Sequence, residues 1–158
     1  MKQILVYRHA KAQKGSDNLA DFVRQLTSDG VRQAASVGKT LRSKDLVPQR
    51  ILSSDAVRAM QTAEVTAQYC DYSGDIEDVP ELYQADAEDY LTLVAKLPEG
   101  VSRVLLVGHN PAIEEIVERL LKRHMDMKTG TVAWIESPAE AWKDVATSEL
   151  SLRGTISA

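Results

Sequence analysis

Cysteine occurs once in these 158 residues, as Cys70, so no intramolecular disulfide can form and no multi-cysteine metal site can be built. Apolar runs are short as well. None approaches the roughly 18 residues a membrane-crossing helix requires, and the start of the chain carries no apolar core of a secretory leader. Both absences point to a cytoplasmic protein without a membrane partner. Positive charge is not in excess, since 19 Lys and Arg face 23 Asp and Glu for a net charge of −4. A general nucleic-acid surface would need the opposite balance to neutralise phosphates. No glycine-rich loop of the nucleotide-binding kind is present, which argues against kinase and dinucleotide chemistry. Repeats, low-complexity tracts and linkers are missing too, and the length suits one domain over 1–158 with a substantial core.

Histidine is also scarce, with three in the chain, and the placement of two of them carries the functional signal. Ile4-Leu5-Val6-Tyr7 is a short apolar run of strand character that passes directly into Arg8-His9. Val104-Leu105-Leu106-Val107 passes in the same way into Gly108-His109-Asn110-Pro111. Two strands that each end in histidine suggest one shared site, because open α/β sheets bind ligands outside the carboxyl ends of their strands. His124 has no such context and reads as a surface residue near a helix end.

The remaining pattern alternates strands with helices. A helix is expected from Ser28, with Val31, Ala34, Ala35, Gly38 and Leu41 inward. A strand over Arg50–Ser54 leads to a helix capped by Asp55, with Val57, Met60, Ala63, Ala67 and Cys70 buried and Arg58 in its first turn. Ile76–Val79 reads as an edge strand, and a helix follows from about Ala87 to Leu97. After the second histidine strand, Asn110 is the expected cap and Pro111 the first residue of a helix through Leu121. Strands are expected over Thr131–Ile135 and about Lys143–Leu152, with a frayed end. Such alternation predicts a three-layer α/β/α sandwich around a mainly parallel sheet.

Arg8, His9, Arg58 and His109 then all lie near strand carboxyl ends. Two guanidiniums and two imidazoles suit a compact anion with several oxygens, and phosphate is the natural guest. A neutral imidazole among cations can attack phosphorus while its neighbours stabilise the developing charge, which makes His9 the candidate nucleophile.

Arg8-His9-Ala10, the segment Leu52 to Ala63 (LSSDAVRAMQTA) and Gly108-His109-Asn110-Pro111 together resemble the histidine phosphatase, or phosphoglycerate mutase-like, superfamily. The short chain and the segment Asp21 to Gly30 (DFVRQLTSDG) are similar to its phosphohistidine phosphatase (SixA-type) branch. The resemblance implies a phosphohistidine intermediate on His9, with Arg8, Arg58 and His109 completing the phosphate pocket and Arg24 reaching it from the DFVRQLTSDG segment. It implies no cofactor or metal, and a partner protein phosphorylated on histidine in a phosphorelay or phosphotransfer system. Larger relatives use a carboxylate to protonate the leaving oxygen. Glu81 is the nearest candidate here, and it reads equally well as a surface carboxylate at a strand end. A phosphatase for small phosphomonoesters and a non-catalytic module that binds phosphorylated partners remain as the alternatives.

Overall fold

The computed structural model describes residues 1–158. Six strands form one sheet in the order β3-β2-β4-β1-β5-β6: β1 Lys2–Arg8, β2 Arg50–Ser54, β3 Ile76–Val79, β4 Arg103–Gly108, β5 Val132–Ser137 and β6 Ser151–Ile156. The first four strands run parallel, while β5 pairs antiparallel with β1 and β6 antiparallel with β5. Helices α1 (Ser28–Ser43), α2 (Val57–Tyr69), α3 (Ala87–Ala95) and α4 (Ala112–Leu121) cover the two faces.

The apolar runs of β1 and β4 are continuous because both of their faces are covered. Ile4 and Val6 join Val104 and Leu106 in the core beneath α3 and α4. Leu5 and Tyr7 join Leu105 and Val107 beneath α1 and α2. The α/β architecture around a mainly parallel sheet expected from the sequence is therefore present, and no helix is long and apolar enough to cross a membrane.

Several local expectations are corrected. In α1 the buried stripe is Gly30, Ala34, Val37, Gly38 and Leu41, while Val31 is exposed and Ala35 only partly covered. Helix α2 begins at Val57 with Ala56 as its N-cap, so Asp55 does not cap it; Ser54 Oγ accepts from the Ala56 N–H instead, at 3.2 Å. The inward face of α2 is Arg58, Ala59, Thr62, Ala63, Thr66 and Ala67, with Val57 and Met60 left half-covered. That rotation works because the two threonines bring their own partners: Thr62 Oγ1 donates to Arg58 O, and Thr66 Oγ1 donates to Ala34 O on α1. Cys70 is buried packing at the end of α2.

Asn110 does not cap α4 either. Its amide Nδ2 is committed to Glu114 Oε2 and Met127 O, the Asn110–Pro111 peptide is cis, and the helix starts at Ala112. At the carboxyl end, Trp142–Thr147 is a tight helical stretch, since Trp142 and Val145 turn into the core together at a spacing of three. The last strand lies later than expected, and residues 151–156 are paired with β5.

The loop after β1 is clamped to α1 where Gly30 lies against the backbone of Lys11, so close that a Cβ at position 30 would overlap the Lys11 carbonyl oxygen. Gly30→Ala should therefore lower stability by about 1–3 kcal/mol, as overpacking does. Urea denaturation checks this, and an unchanged midpoint would show that the loop shifts freely.

Candidate active site

Strands β1 and β4 pair in register with Arg8 opposite Gly108, so the residues that follow them, His9 and His109, emerge side by side. The rings stand 5.1 Å apart between centroids, tilted by 56°. Both histidines are buried, at 7% and 8% exposure.

His9 Nδ1 lies 2.8 Å from the Ala10 carbonyl oxygen. A carbonyl can only accept, so Nδ1 carries the proton and Nε2 keeps its lone pair in the neutral ring. Arg58 Nε donates toward that Nε2 at 3.4 Å. Burial pushes the His9 imidazole down from 6.5 to about 4, aided by the charges of Arg58, Arg8 and Arg24 and opposed by the Ala10 bond. His109 is pushed down to about 3, again first by burial and then by His9, Arg58 and Arg24, with Asp21 opposing. Its Nε2 is 2.8 Å from Ser54 Oγ on the neighbouring strand, and its Nδ1 is buried without a protein partner. Both rings are thus neutral near pH 7.

The arginines are held from the protein side. Arg58 reaches the site from the first turn of α2 and donates through Nη1 to Asp21 O at 2.8 Å and through Nη2 to Asp21 Oδ2 at 3.1 Å. Its turn is tied to the histidine loop because the Ala10 N–H donates to Thr62 Oγ1, which donates on to Arg58 O. Arg8 donates through Nη1 to Met127 O at 3.0 Å, and its Nε is buried without a partner. Arg24 donates to Gln13 O and to Asp21 Oδ1, and its charge acts on both histidines.

Glu81 is not brought to this cluster. It is exposed on the turn Pro80–Leu82 and lines a separate concavity with Leu82, Asp89, Thr92, Leu93 and Lys96. The other side of the same turn faces His109, across a cavity of about 310 Å³ between Leu82–Ala85 and His109–Ala112. The Tyr83 ring meets His109 and Phe22 in edge-to-face geometry, with centroids 5.8 and 5.1 Å away.

Two participants were not singled out from the sequence. Asp21, read there only as the start of the segment that holds Arg24, accepts from Arg58, Arg24 and, at 2.5 Å, from the Tyr83 hydroxyl. These bonds, the Tyr83 one foremost, hold its carboxyl far below the usual range, and the same bond pushes the Tyr83 phenol up. Ser54 reads in the sequence as the last residue of a strand and as part of the segment Leu52 to Ala63, with no role of its own, because its place beside the second histidine strand emerges only from the sheet pairing. A grouping with metal-ligand proximity, Glu114, His124 and Asp126, also arises only in three dimensions. His124 is exposed there, as expected, with Nε2 2.9 Å from Asp126 Oδ1.

Chemically, the site brings the charges of three guanidiniums to bear on a neutral imidazole whose Nε2 faces one of them, Arg58. Such an arrangement can hold a tetrahedral anion and accept a group from it.

The family model of the histidine phosphatase superfamily (branch 1) matches residues 4–93, which include His9 and Arg58. Phosphohistidine phosphatase SixA of Escherichia coli is 29% identical over 120 residues, covering 75% of this chain and 73% of that protein. An uncharacterised chloroplastic protein of Arabidopsis thaliana is 27% identical over 152 residues, covering 90% of this chain and 70% of its own length. Among solved structures, one from Nakamurella multipartitia that bears the SixA phosphohistidine phosphatase name superposes with a TM-score of 0.85 at 27% identity, covering 98% of this chain and 95% of that one.

The depressed imidazoles have a consequence for stability. As pH falls from 6.5 toward 4, the unfolded chain takes up protons on His9 and His109 that the folded chain refuses, so folding weakens across that window. The urea midpoint should fall between pH 7 and pH 4.5, and the fall should be smaller in His9→Gln. Equal slopes in the two proteins would show that His9 does not titrate as described.

Proposed function

The chain belongs to the histidine phosphatase superfamily, and from that premise we propose that it hydrolyses phosphohistidine on a partner protein of a phosphorelay or phosphotransfer system. The observation that carries the reading is the tautomer of His9. With its proton fixed on Nδ1 by the Ala10 carbonyl, the ring offers Nε2 as a nucleophile without any prior deprotonation.

In the first step the Nε2 lone pair forms a bond to phosphorus while the bond from phosphorus to the substrate imidazole breaks. The departing ring, protonated on its second nitrogen, takes the electron pair and leaves neutral. Arg8, Arg58 and the unpartnered Nδ1 of His109 are available to the phosphoryl oxygens. In the second step water attacks phosphorus, the pair returns to His9 Nε2, and the water proton passes to the departing phosphate. The Nδ1–H bond to Ala10 persists throughout, so phosphorylated His9 is an imidazolium derivative and a good leaving group in its turn.

The preference for a phosphoramidate follows from proton supply. An alkoxide leaves poorly without an acid, Asp21 is ionised, and Glu81 faces another concavity. The name of the Escherichia coli relative supports the same substrate class. A module that only bound phosphorylated partners would have no use for a neutral imidazole with its lone pair turned toward an arginine. The reading also needs no resident metal, because the charged groups that act on His9 are guanidiniums, which repel a divalent ion.

Wild type should hydrolyse a phosphohistidine-bearing domain faster than small phosphate esters and should yield an acid-labile phosphoenzyme that His9→Ala lacks. Retained turnover in a folded His9→Ala protein would end the assignment, and a wild type that prefers esters would replace it with the phosphomonoesterase reading. Arg58→Ala should lose on the order of a hundredfold in kcat/KM. Glu81→Gln should stay within about twofold of wild type on both substrates, whereas a general acid would cost roughly a hundredfold or more on the ester. Activity should survive chelation; loss with chelator and recovery with added metal would overturn the metal-free reading.

A further inference from the structure

Asp21 takes part in none of these steps, yet donors from three parts of the chain converge on it. Arg58 arrives from α2, Arg24 from its own segment and Tyr83 from beyond the turn at Pro80–Leu82, at 3.1, 2.8 and 2.5 Å. The Asp21 backbone carbonyl takes the other terminal nitrogen of Arg58 at 2.8 Å. One residue therefore holds both terminal nitrogens of that guanidinium from the outer side. Because the group is planar, fixing the two nitrogens also fixes the direction of Nε, which faces the reacting nitrogen of His9 at 3.4 Å.

A buried cation needs a counter-charge, and that alone would account for one contact. It does not account for the paired grip of carbonyl and carboxylate, nor for the use of a side chain that is itself half exposed, at 53% against 7% for Arg58. Charge supplies a second argument. Three guanidiniums, one carboxylate and two neutral imidazoles leave an excess of two positive charges, the number a phosphoryl dianion carries with the opposite sign.

We propose that Asp21 is a positioning residue for phosphoryl transfer: it holds the Arg58 guanidinium in one plane beside His9, so that its Nε–H passes from the His9 nitrogen to a phosphoryl oxygen as that nitrogen bonds phosphorus, and it trims the charge of the pocket to match its substrate. The inference rests on His9 as the phosphoryl acceptor. Without the Asp21 carboxylate the pocket attracts an anion at least as well but reacts more slowly, because the lost interaction acts on the transition state and not on binding.

Asp21→Asn keeps the shape and removes the charge. On phosphohistidine or p-nitrophenyl phosphate, whichever wild type hydrolyses, kcat should fall roughly ten- to a hundredfold. KM and the dissociation constant for inorganic phosphate should stay level or fall. Asp21→Glu should recover part of kcat. Tyr83→Phe, which removes one donor to Asp21 and no charge, should show a smaller loss of the same kind and serves if Asp21→Asn does not fold. The Arg58 Nε–H signal in nitrogen-15 NMR should be sharp in wild type and exchange-broadened in Asp21→Asn, a readout that needs no turnover. An unchanged kcat, an unchanged Nε–H signal, or a loss of kcat with a parallel loss of phosphate affinity would overturn the proposal. A wild type that forms no phosphoenzyme while the NMR difference persists would instead overturn the role of His9 and leave Asp21 as the holder of Arg58.

Discussion

The hydrogen bond from His9 Nδ1 to the Ala10 carbonyl decides which ring nitrogen can do chemistry, and much of the local structure serves to keep that carbonyl in place. The Ala10 N–H is anchored on Thr62, whose hydroxyl is anchored on the first turn of α2. On the opposite side the Gly130 N–H is shared between the carbonyls of Arg8 and His9, at 3.1 and 3.0 Å. Gly130 makes this approach with φ at +74°, a conformation that side-chain-bearing residues rarely adopt. The backbone of residues 8–10 is thereby gripped from α2 and from the segment before β5. A histidine on a loose loop would sample both tautomers and several orientations, whereas the ring and backbone of His9 are held by these hydrogen bonds.

The sheet explains why so few residues suffice. With β1 flanked by β4 in parallel register, the carboxyl ends of two buried strands coincide, and β2 on the far side of β4 delivers Ser54 to His109. The turn that follows β2 then starts α2 with Arg58 already at the rim. The end of β1 brings Arg8 and His9, that of β4 brings His109 and that of β2 brings Ser54, and these strands are rigid because both sheet faces are covered by separate cores. The geometry of the site is inherited from strand pairing, which tolerates little slippage when both faces are buried.

This inheritance accounts for what the sequence made legible. A strand that ends in Arg8-His9 and another that ends in Gly108-His109 reveal their chemistry locally, because apolar period and polar terminus are adjacent in the chain. The rotation of α2 was hidden because its buried threonines look polar until Ala34 and the Arg58 carbonyl are brought to them. Asn110 has the side chain of a good cap, and only the proximity of Met127 and Glu114 shows that its amide is spent elsewhere. Asp21 lies 37 residues from Arg58 and 62 from Tyr83, so nothing in its own segment announces either contact. Local pattern speaks for residues that act where their strand ends, and it is silent for residues that act by crossing to another element.

The pocket also bears on where substrate selectivity can arise. In the proposed reading the guanidiniums would meet the phosphoryl oxygens, and those oxygens are the same in an ester and in a phosphoramidate. Affinity for the phosphoryl group therefore discriminates little between the two. They differ in the atom that departs, and the carboxylate that reaches the site's arginines, Asp21, is held ionised by Tyr83, Arg24 and Arg58. In the phosphohistidine reading, then, discrimination resides in the first bond cleavage, where a protonated imidazole leaves without help and an alkoxide does not. Selectivity of that kind would appear in kcat/KM, which contains the first bond cleavage and not the hydrolysis of an intermediate common to both substrates, and it would come from the contacts that Asp21 makes, since a carboxylate committed to three hydrogen-bond donors has no proton to give.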